Sequence, residues 1–306
     1  VFYTMYGTVS PEITVDTNVQ VAAGNSVSYA ITEDGSLWEW GAKCGTRLAG
    51  NAAPKKILSD IVSVSTSGNG SFDESSPEVW THTLAVAKDG SLYGWGFNGF
   101  GQITGTSPSN YEESTNIGEP TFMVGNIKQA SAGGGLSAAV TTSGALIVWG
   151  GAYSEEGPSS RVIKTDVAAV EVGSGINKIL FVLNPDGTVE VMNAVTRSAK
   201  KVMDGVQEIH GVEGFNAACL ALKKDGSLWL IESGQFGDDT QTIRIMNDVI
   251  SAAAYSRDLL EYEDKPLYVV NKAGQLLKSV DSNLKNFSVV MEGIVSVSAG
   301  RTHALA

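Results

Sequence analysis

The most regular feature of the chain is a recurring alternation of short apolar runs and turn residues. A turn cluster followed by an apolar run occurs seven times, as in SDIVSVSTSG, GNIKQASAGG and EGIVSVSAG. The interval is about 40 residues, with one longer interval. In six of the seven units a second apolar run leads to a tight turn such as EDG, KDG or PDG. These runs predict β-strands, and Asp-Gly between them predicts a type I′ hairpin in which Gly adopts a positive φ.

Each unit contains two further strands beyond this turn. In the third strand, successive residues that point to opposite faces are both apolar, as at Leu37 and Trp38 or Leu228 and Trp229. This pattern indicates burial on both faces. A weaker fourth strand follows a variable loop, as in PKKIL, PTFMV and NFSVVM. Four strands per repeated unit are typical of a β-propeller blade. We therefore predict an all-β fold, a seven-bladed β-propeller with four-stranded antiparallel blades.

The two ends of the chain resemble the two halves of one unit. When His303 is aligned on His82 and Gly7 on Gly96, residues 293–306 provide the first two strands of the seventh blade and residues 1–15 provide the last two. A blade shared by both termini would close the ring and remove the exposed sheet edges of an open array. The prediction is thus a single domain over residues 1–306.

One unit carries a familiar motif in nearly complete form. Residues 82–105 read HTLAVAKDGSLYGWGFNGFGQITG, with a His, an Asp-Gly turn, a Trp-Gly and a Gly-rich loop. This stretch resembles the repeat of the regulator of chromosome condensation family, although Trp-Gly is replaced in units four to six. The resemblance implies a seven-bladed propeller. Family members include a guanine-nucleotide exchange factor on chromatin and a secreted bacterial inhibitor of β-lactamases, and both present loops on one face to a protein.

Charge and composition narrow the functional classes. The chain has 21 Lys and Arg against 33 Asp and Glu, a net charge of −12, which opposes binding to nucleic acid. The acidic balance and the abundance of Ser, Thr, Asn and Gly favour the bacterial secreted members, hence an extracellular or cell-surface location. No apolar run is long enough to insert in a membrane. Cys44 and Cys219 suggest neither a disulfide framework nor a metal site.

The loops carry the strongest functional signal. Because strands alternate in direction, the first-to-second and third-to-fourth connections share one face, and nearly all variation in loop length falls there. Long loops in blades two, three and six hold aromatic side chains among acidic ones, a composition suited to a protein partner with a basic surface. The predicted partner-binding residues are Phe72, Trp80, Phe97, Phe100, Tyr111, Tyr153, Glu155, Glu156, Phe236 and Tyr255.

Candidate catalytic groups have simpler interpretations. His82 and His303 occupy the same repeat position, which favours a structural role between blades over catalysis or metal binding. Adjacent acidic pairs such as Glu112 and Glu113 do not place two carboxylates across a substrate. We therefore predict a non-enzymatic, monomeric protein-binding module without metal or cofactor, such as an inhibitor or adaptor. Two alternatives stay open: a carbohydrate-binding or carbohydrate-active propeller, and a structural module of a larger surface protein.

Overall fold

The computed structural model describes residues 20–44, 53–67, 81–106, 116–151, 161–173, 178–212, 217–234, 239–254, 266–281, 283–300 and 303–306. Within them 26 β-strands are defined. The first three blades contain β1 (Gln20–Ala23), β2 (Val27–Ile31), β3 (Leu37–Gly41) and β4 (Lys55–Leu58); β5 (Ile61–Thr66), β6 (His82–Ala87), β7 (Leu92–Phe97) and β8 (Asn116–Val124); β9 (Ile127–Gly133), β10 (Leu136–Thr141), β11 (Leu146–Gly150) and β12 (Val162–Lys164).

The second half of the chain repeats this plan. Blades four to six contain β13 (Ala169–Val172), β14 (Ile179–Leu183), β15 (Val189–Asn193) and β16 (Ala199–Met203); β17 (Val206–Val212), β18 (Ala217–Lys223), β19 (Leu228–Ser233) and β20 (Thr240–Met246); β21 (Val249–Ala254), β22 (Leu267–Asn271), β23 (Gln275–Ser279) and β24 (Phe287–Glu292). The last two strands are β25 (Ser298–Ala299) and β26 (Ala304–Leu305).

The sheets confirm an all-β propeller with four-stranded antiparallel blades. Each of the first six blades is one sheet whose strands pair in chain order, and β25 pairs only with β26 in a two-stranded sheet. The described residues thus show six four-stranded blades rather than the predicted seven. The strands predicted from residues 1–15, which would complete the seventh, lie outside the described residues.

The first strand of every blade lines the centre of the ring. Strand β1 contacts β5, and the same contact repeats from β5 to β9, β13, β17 and β21. Strand β25 contacts both β21 and β1. Seven inner strands therefore form a closed circle around a central channel, and the sheet β25–β26 lies between blades six and one.

The core consists of apolar layers between adjacent blades. In β11, Leu146 and Val148 belong to the layer shared with blade four, whereas Ile147 and Trp149 belong to the layer shared with blade two. All five residues of this strand are buried. The strand is buried on both faces, as its continuous apolar sequence predicts, and each fully buried aliphatic side chain contributes about 1.5 to 3 kcal/mol.

The hairpin turns differ from the prediction in one respect. Gly35, Gly90, Gly187 and Gly226 have positive φ, but the aspartates before them do not. In the first of these turns the Gly35 N–H donates to the Thr32 carbonyl at 2.8 Å. A positive φ at the glycine alone makes this a type I turn with a left-handed Gly, not type I′. The Asp34 carboxylate accepts the Ser36 N–H at 3.0 Å, which accounts for the preference for Asp.

Candidate functional site

The strand directions divide the connections between two faces. On the face that carries the Asp-Gly turns, here called the hairpin face, every described pair of successive strands is joined by two to five residues. On the opposite face, here called the loop face, five connections exceed ten residues: 42–54, 67–81, 98–115, 151–161 and 255–266. Blades two, three and six carry four of them, as predicted. The fifth, in blade one, was missed, although the distance from Trp40 to PKKIL already indicated it.

The predicted partner-binding residues fall mostly in these connections. Eight of the ten lie outside the described residues: Phe72, Trp80, Tyr111, Tyr153, Glu155, Glu156, Phe236 and Tyr255. The two described ones lie in blade two. Phe97 is 4% exposed and its ring packs edge-to-face on Phe100 with centroids 5.7 Å apart. Phe100 is half-buried. The Phe97 side chain is therefore not available to a partner in this conformation.

The first half of the blade-two loop binds the next blade. Asn98 Oδ1 accepts the backbone N–H of Ile103 at 2.8 Å, which fixes a compact turn. The Gln102 carbonyl then accepts the Ser137 hydroxyl at 2.8 Å and the Trp149 indole N–H at 2.7 Å, both from blade three. Residues 98–106 thus hold blade two against blade three, and the role of Phe100 in recognition stays a prediction.

The repeat-equivalent histidines bridge neighbouring blades, as predicted. His82 Nε2 lies 2.8 Å from Ser137 Oγ, and His303 Nε2 lies 2.8 Å from Ser28 Oγ. Because the Ser137 hydroxyl donates to Gln102, His82 Nε2 must be the donor in its own bond. Burial lowers the pKa of His82 to about 3, so the imidazole is neutral at pH 7. These geometries assign a structural role to both rings.

A cavity of about 180 Å³ occupies the central channel, and no prediction from the sequence covered it. All seven inner strands line it. Glu171 of β13 and His210 of β17 are its ionisable residues. The Ser131 hydroxyl donates to Glu171 Oε2 at 2.8 Å. Burial raises the pKa of Glu171 to about 7, although Ser131, His210 and Gly211 favour the carboxylate.

Metal and membrane features give little guidance. In the part of the chain that the structure describes, no group of three or more His, Cys, Asp and Glu residues could hold a metal ion. Both cysteines are free and buried. No described helix is long and apolar enough to cross a bilayer.

Comparisons with known proteins support the resemblance of this chain to RCC1 repeat proteins. Residues 79–102 match the model of the regulator of chromosome condensation (RCC1) repeat. The chain is 30% identical over 138 residues to RCC1 domain-containing protein RUG3, mitochondrial, of Arabidopsis thaliana, covering 43% of this chain and 28% of that protein. It is 29% identical over 150 residues to the human RCC1-like G exchanging factor-like protein, covering 46% and 30%. The chain thus spans about a third or less of the length of these relatives.

Solved structures agree on the fold. Prp20p of Saccharomyces cerevisiae superposes with a TM-score of 0.65 at 13% identity over 94% of this chain and 81% of that chain. Human WBSCR16 superposes with a TM-score of 0.62 at 14% identity over 95% and 87%. At these identities the likeness shows the fold alone, a β-propeller, while the resemblance to RCC1 repeat proteins rests on the matched repeat and the relatives above. The named relatives are eukaryotic, so the expected bacterial and secreted character has no support from them.

Proposed function

We propose that this chain is a non-enzymatic protein-binding propeller that presents the long connections of blades two, three and six to a protein partner. The observation that carries the proposal is the one-sided distribution of connection length. Between the described strands, no connection on the hairpin face exceeds five residues, whereas five on the loop face exceed ten. Long connections on a rigid scaffold are where recognition residues concentrate.

The composition of these connections favours a protein surface. Connection 67–81 contains Phe72 and Trp80, connection 98–115 contains Tyr111, and connection 151–161 contains Tyr153 beside Glu155 and Glu156. Aromatic side chains supply much of the energy at interface hot spots. A net charge of −12 would attract a basic partner and accelerate its association. One structural relative is described by its binding properties to Gsp1p and histones, which are protein partners of that propeller.

The predicted seventh blade is part of the same proposal. In blades one to five the bulged residue of the outer strand packs against the layer shared with the next blade, as Ile57 and Ile245 do. The equivalent residue of blade six is Val290, which is 40% exposed. We infer that residues 1–15 supply the outer strands of blade seven and cover this flank.

Truncation tests this closure. Deleting residues 1–15 should lower the urea midpoint markedly, and Val290→Ser in the full chain should cost about 1 kcal/mol, as for a partly covered apolar side chain. The matched control is Val195→Ser, because Val195 is 47% exposed on a turn between β15 and β16. An unchanged midpoint for both Val290→Ser and the truncated chain would refute the closure.

The binding proposal is tested by retention on the immobilised protein. Secreted and surface proteins of its own source are passed over wild type, over a loop-face variant and over a hairpin-face control. The loop-face variant carries Trp80→Ser, Tyr111→Ser and Tyr153→Ser; the control carries Lys88→Glu and Lys224→Glu, two exposed residues of Asp-Gly turns. We expect a protein retained by wild type and control and lost by the loop-face variant. Retention of glycans from an array, with no protein retained, would overturn the proposal in favour of the carbohydrate alternative.

A further inference from the structure

One position of the inner strand recurs around the central channel, and at four of the seven inner strands its side chain accepts a hydrogen bond from the following blade. Ser65 Oγ accepts the Ala132 N–H at 3.0 Å from the following blade. Ser131 Oγ accepts the Val172 N–H at 3.0 Å, and Ser298 Oγ accepts the Ala23 N–H at 3.0 Å. The residues at this position, here called the channel ring, are Ala22, Ser65, Ser131, Glu171, His210, Ala253 and Ser298.

Glu171 takes the place of a serine in this ring. Its carboxylate accepts a hydrogen bond from the backbone N–H of Gly211 in the following blade, as each serine does from its own partner. It also accepts one from the Ser131 hydroxyl. A Cβ at position 211 would lie 3.1 Å from Glu171 Oε2, so the glycine leaves room for the longer side chain. Strand β17 is thus adapted to the carboxylate.

The fold itself does not require a carboxylate here. Three serines form the same cross-blade bond without a charge, whereas an ionised carboxyl in the channel loses hydration. Burial raises the pKa of Glu171 accordingly. A residue that costs stability where a serine suffices, and that faces a cavity, is a candidate for binding.

The cavity beside Glu171 has a definite chemical character. Its walls include the small apolar side chains of Val21, Val64 and Ala253 and the hydroxyls of Ser65 and Ser298. The other ionisable lining residue, His210, has Nε2 3.6 Å from Glu208 Oε2 of its own strand. Glu171 is therefore the group that a ligand in the cavity would have to match.

We propose that the channel cavity binds a small organic cation, with an ammonium or guanidinium group on the Glu171 carboxylate and a short apolar stem against Val21, Val64 and Ala253. A cationic donor forms short, charge-assisted hydrogen bonds with a carboxylate, and guanidinium can do so through two parallel N–H groups. The backbone N–H groups that face the three serines and Glu171 already donate to these side chains. They are therefore not available to bind an anion in the cavity. The volume of about 180 Å³ limits the stem to a few carbons.

Titration calorimetry with defined probes tests the proposal on the full chain at pH 8. The probes are n-butylguanidinium, n-butylammonium and the neutral n-butanol. The variants are Glu171→Gln, which keeps the shape and the acceptor, and the control Glu119→Gln, an exposed carboxylate of the outer strand β8. We expect both cations to bind wild type and Glu119→Gln, at least tenfold weaker binding to Glu171→Gln, and none of n-butanol. At pH 7 binding should also release protons, because the cation favours the ionised carboxyl.

A second variant keeps the test valid if Glu171→Gln fails to fold. Ala253→Leu leaves the charge in place but fills the cavity, and it should weaken both cations by a similar factor. Absence of binding of either cation to wild type, or equal binding to all variants, would overturn the proposal.

The cationic group could belong to a free metabolite or to a Lys or Arg side chain of a docked protein. Competition between n-butylguanidinium and a bound loop-face partner distinguishes these two sources. This experiment rests on the proposed function, because it needs such a partner. A loop-face partner displaced by n-butylguanidinium inserts its own side chain, whereas a partner that binds together with the cation leaves the channel to a free molecule. The calorimetric result stands whether or not a loop-face partner is found.

Discussion

The junction between blades two and three is polar, whereas the junction between blades four and five is apolar at the same repeat positions. In the former, His82, Ser137 and Trp149 form hydrogen bonds that end on the Gln102 carbonyl. In the latter, the equivalent residues Ile179, Cys219 and Ile231 are all fully buried in one apolar layer. Strand pairing supports the equivalence, since Ser137 lies opposite Trp149 and Cys219 lies opposite Ile231.

This difference explains what the RCC1-like motif does in the chain. Its His, Trp and Gly-rich loop form the hydrogen bonds that hold one blade to the next. Where the motif is degenerate, aliphatic packing holds the blades together instead. The motif residues are therefore not evidence of a binding surface, and recognition has to be sought in the remaining parts of the long connections and in the channel.

The largest expected effect is the loss of the buried indole at the polar junction. Trp149→Ala should lower the free energy of unfolding by about 3 to 5 kcal/mol, because it leaves a cavity and deprives Gln102 of a donor. Urea unfolding measures the change. Ile231→Ala is the matched substitution at the apolar junction. If it lowers the free energy of unfolding more than Trp149→Ala does, the hydrogen bonds of the polar junction are not as important as proposed.

Acid sensitivity should distinguish the junctions next. The folded pKa of His82, about 3, lies below the ordinary value of 6.5, so its stabilising effect is present above pH 6.5 and is lost as the pH falls toward 3. Between pH 7 and pH 5 this costs about 2 kcal/mol. The difference in unfolding free energy between wild type and His82→Gln should shrink over that interval. A difference independent of pH would show that the buried imidazole is not kept neutral.

Glu171 should act in the opposite direction. Its folded pKa, about 7, lies above the ordinary 4.5, so the stabilisation is present below pH 4.5 and is lost as the pH rises through 7. Glu171→Gln should therefore become more stable than wild type as the pH is raised from 5 to 8. We expect about 1 to 2 kcal/mol, because partial exposure reduces the full effect. Thermal unfolding at both pH values measures it, with Glu119→Gln, an exposed carboxylate of β8, as control.

Reciprocal substitution gives the smallest effects and the most specific comparison. Ser137→Cys should cost about 1 to 3 kcal/mol, because it weakens the hydrogen bonds with His82 and Gln102. Cys219→Ser should cost about 1 kcal/mol, since a hydroxyl enters an apolar layer beside the Leu220 carbonyl, which already lies 3.5 Å from the thiol. Urea unfolding measures both changes. If neither Ser137→Cys nor Cys219→Ser lowers the free energy of unfolding, the two junctions are interchangeable at this position.

The sequence predicted the strands well because their periodicity and turn chemistry are local. Continuous apolar runs such as 146–149 and Asp-Gly turns such as 89–90 predicted the right elements and the four-stranded antiparallel blade, whereas the described residues show six such blades rather than seven. The predicted turn type was wrong. A type I′ turn would need positive φ at both Asp89 and Gly90, whereas only Gly90 has it. The role of the loop at Gln102 could not be predicted, since it depends on a contact with the next blade.

The channel was missed for a reason of alignment. The repeat pattern marks the seven inner strands, but the channel residues stand out only when one repeat position is compared across all units. Such a comparison shows Glu171 and His210 where three other units have serine. The cavity itself depends on how seven strands meet around an axis, which no single unit encodes.

Hydrogen–deuterium exchange with and without a retained partner tests the central claim most directly. If the loop face binds the partner, exchange should slow in residues 67–81, 107–115, 151–161 and 255–266. The Asp-Gly turns of the hairpin face, including Lys88 and Lys224, should exchange at unchanged rates. Protection confined to the hairpin face, with the loop-face connections unaffected, would contradict the proposed function.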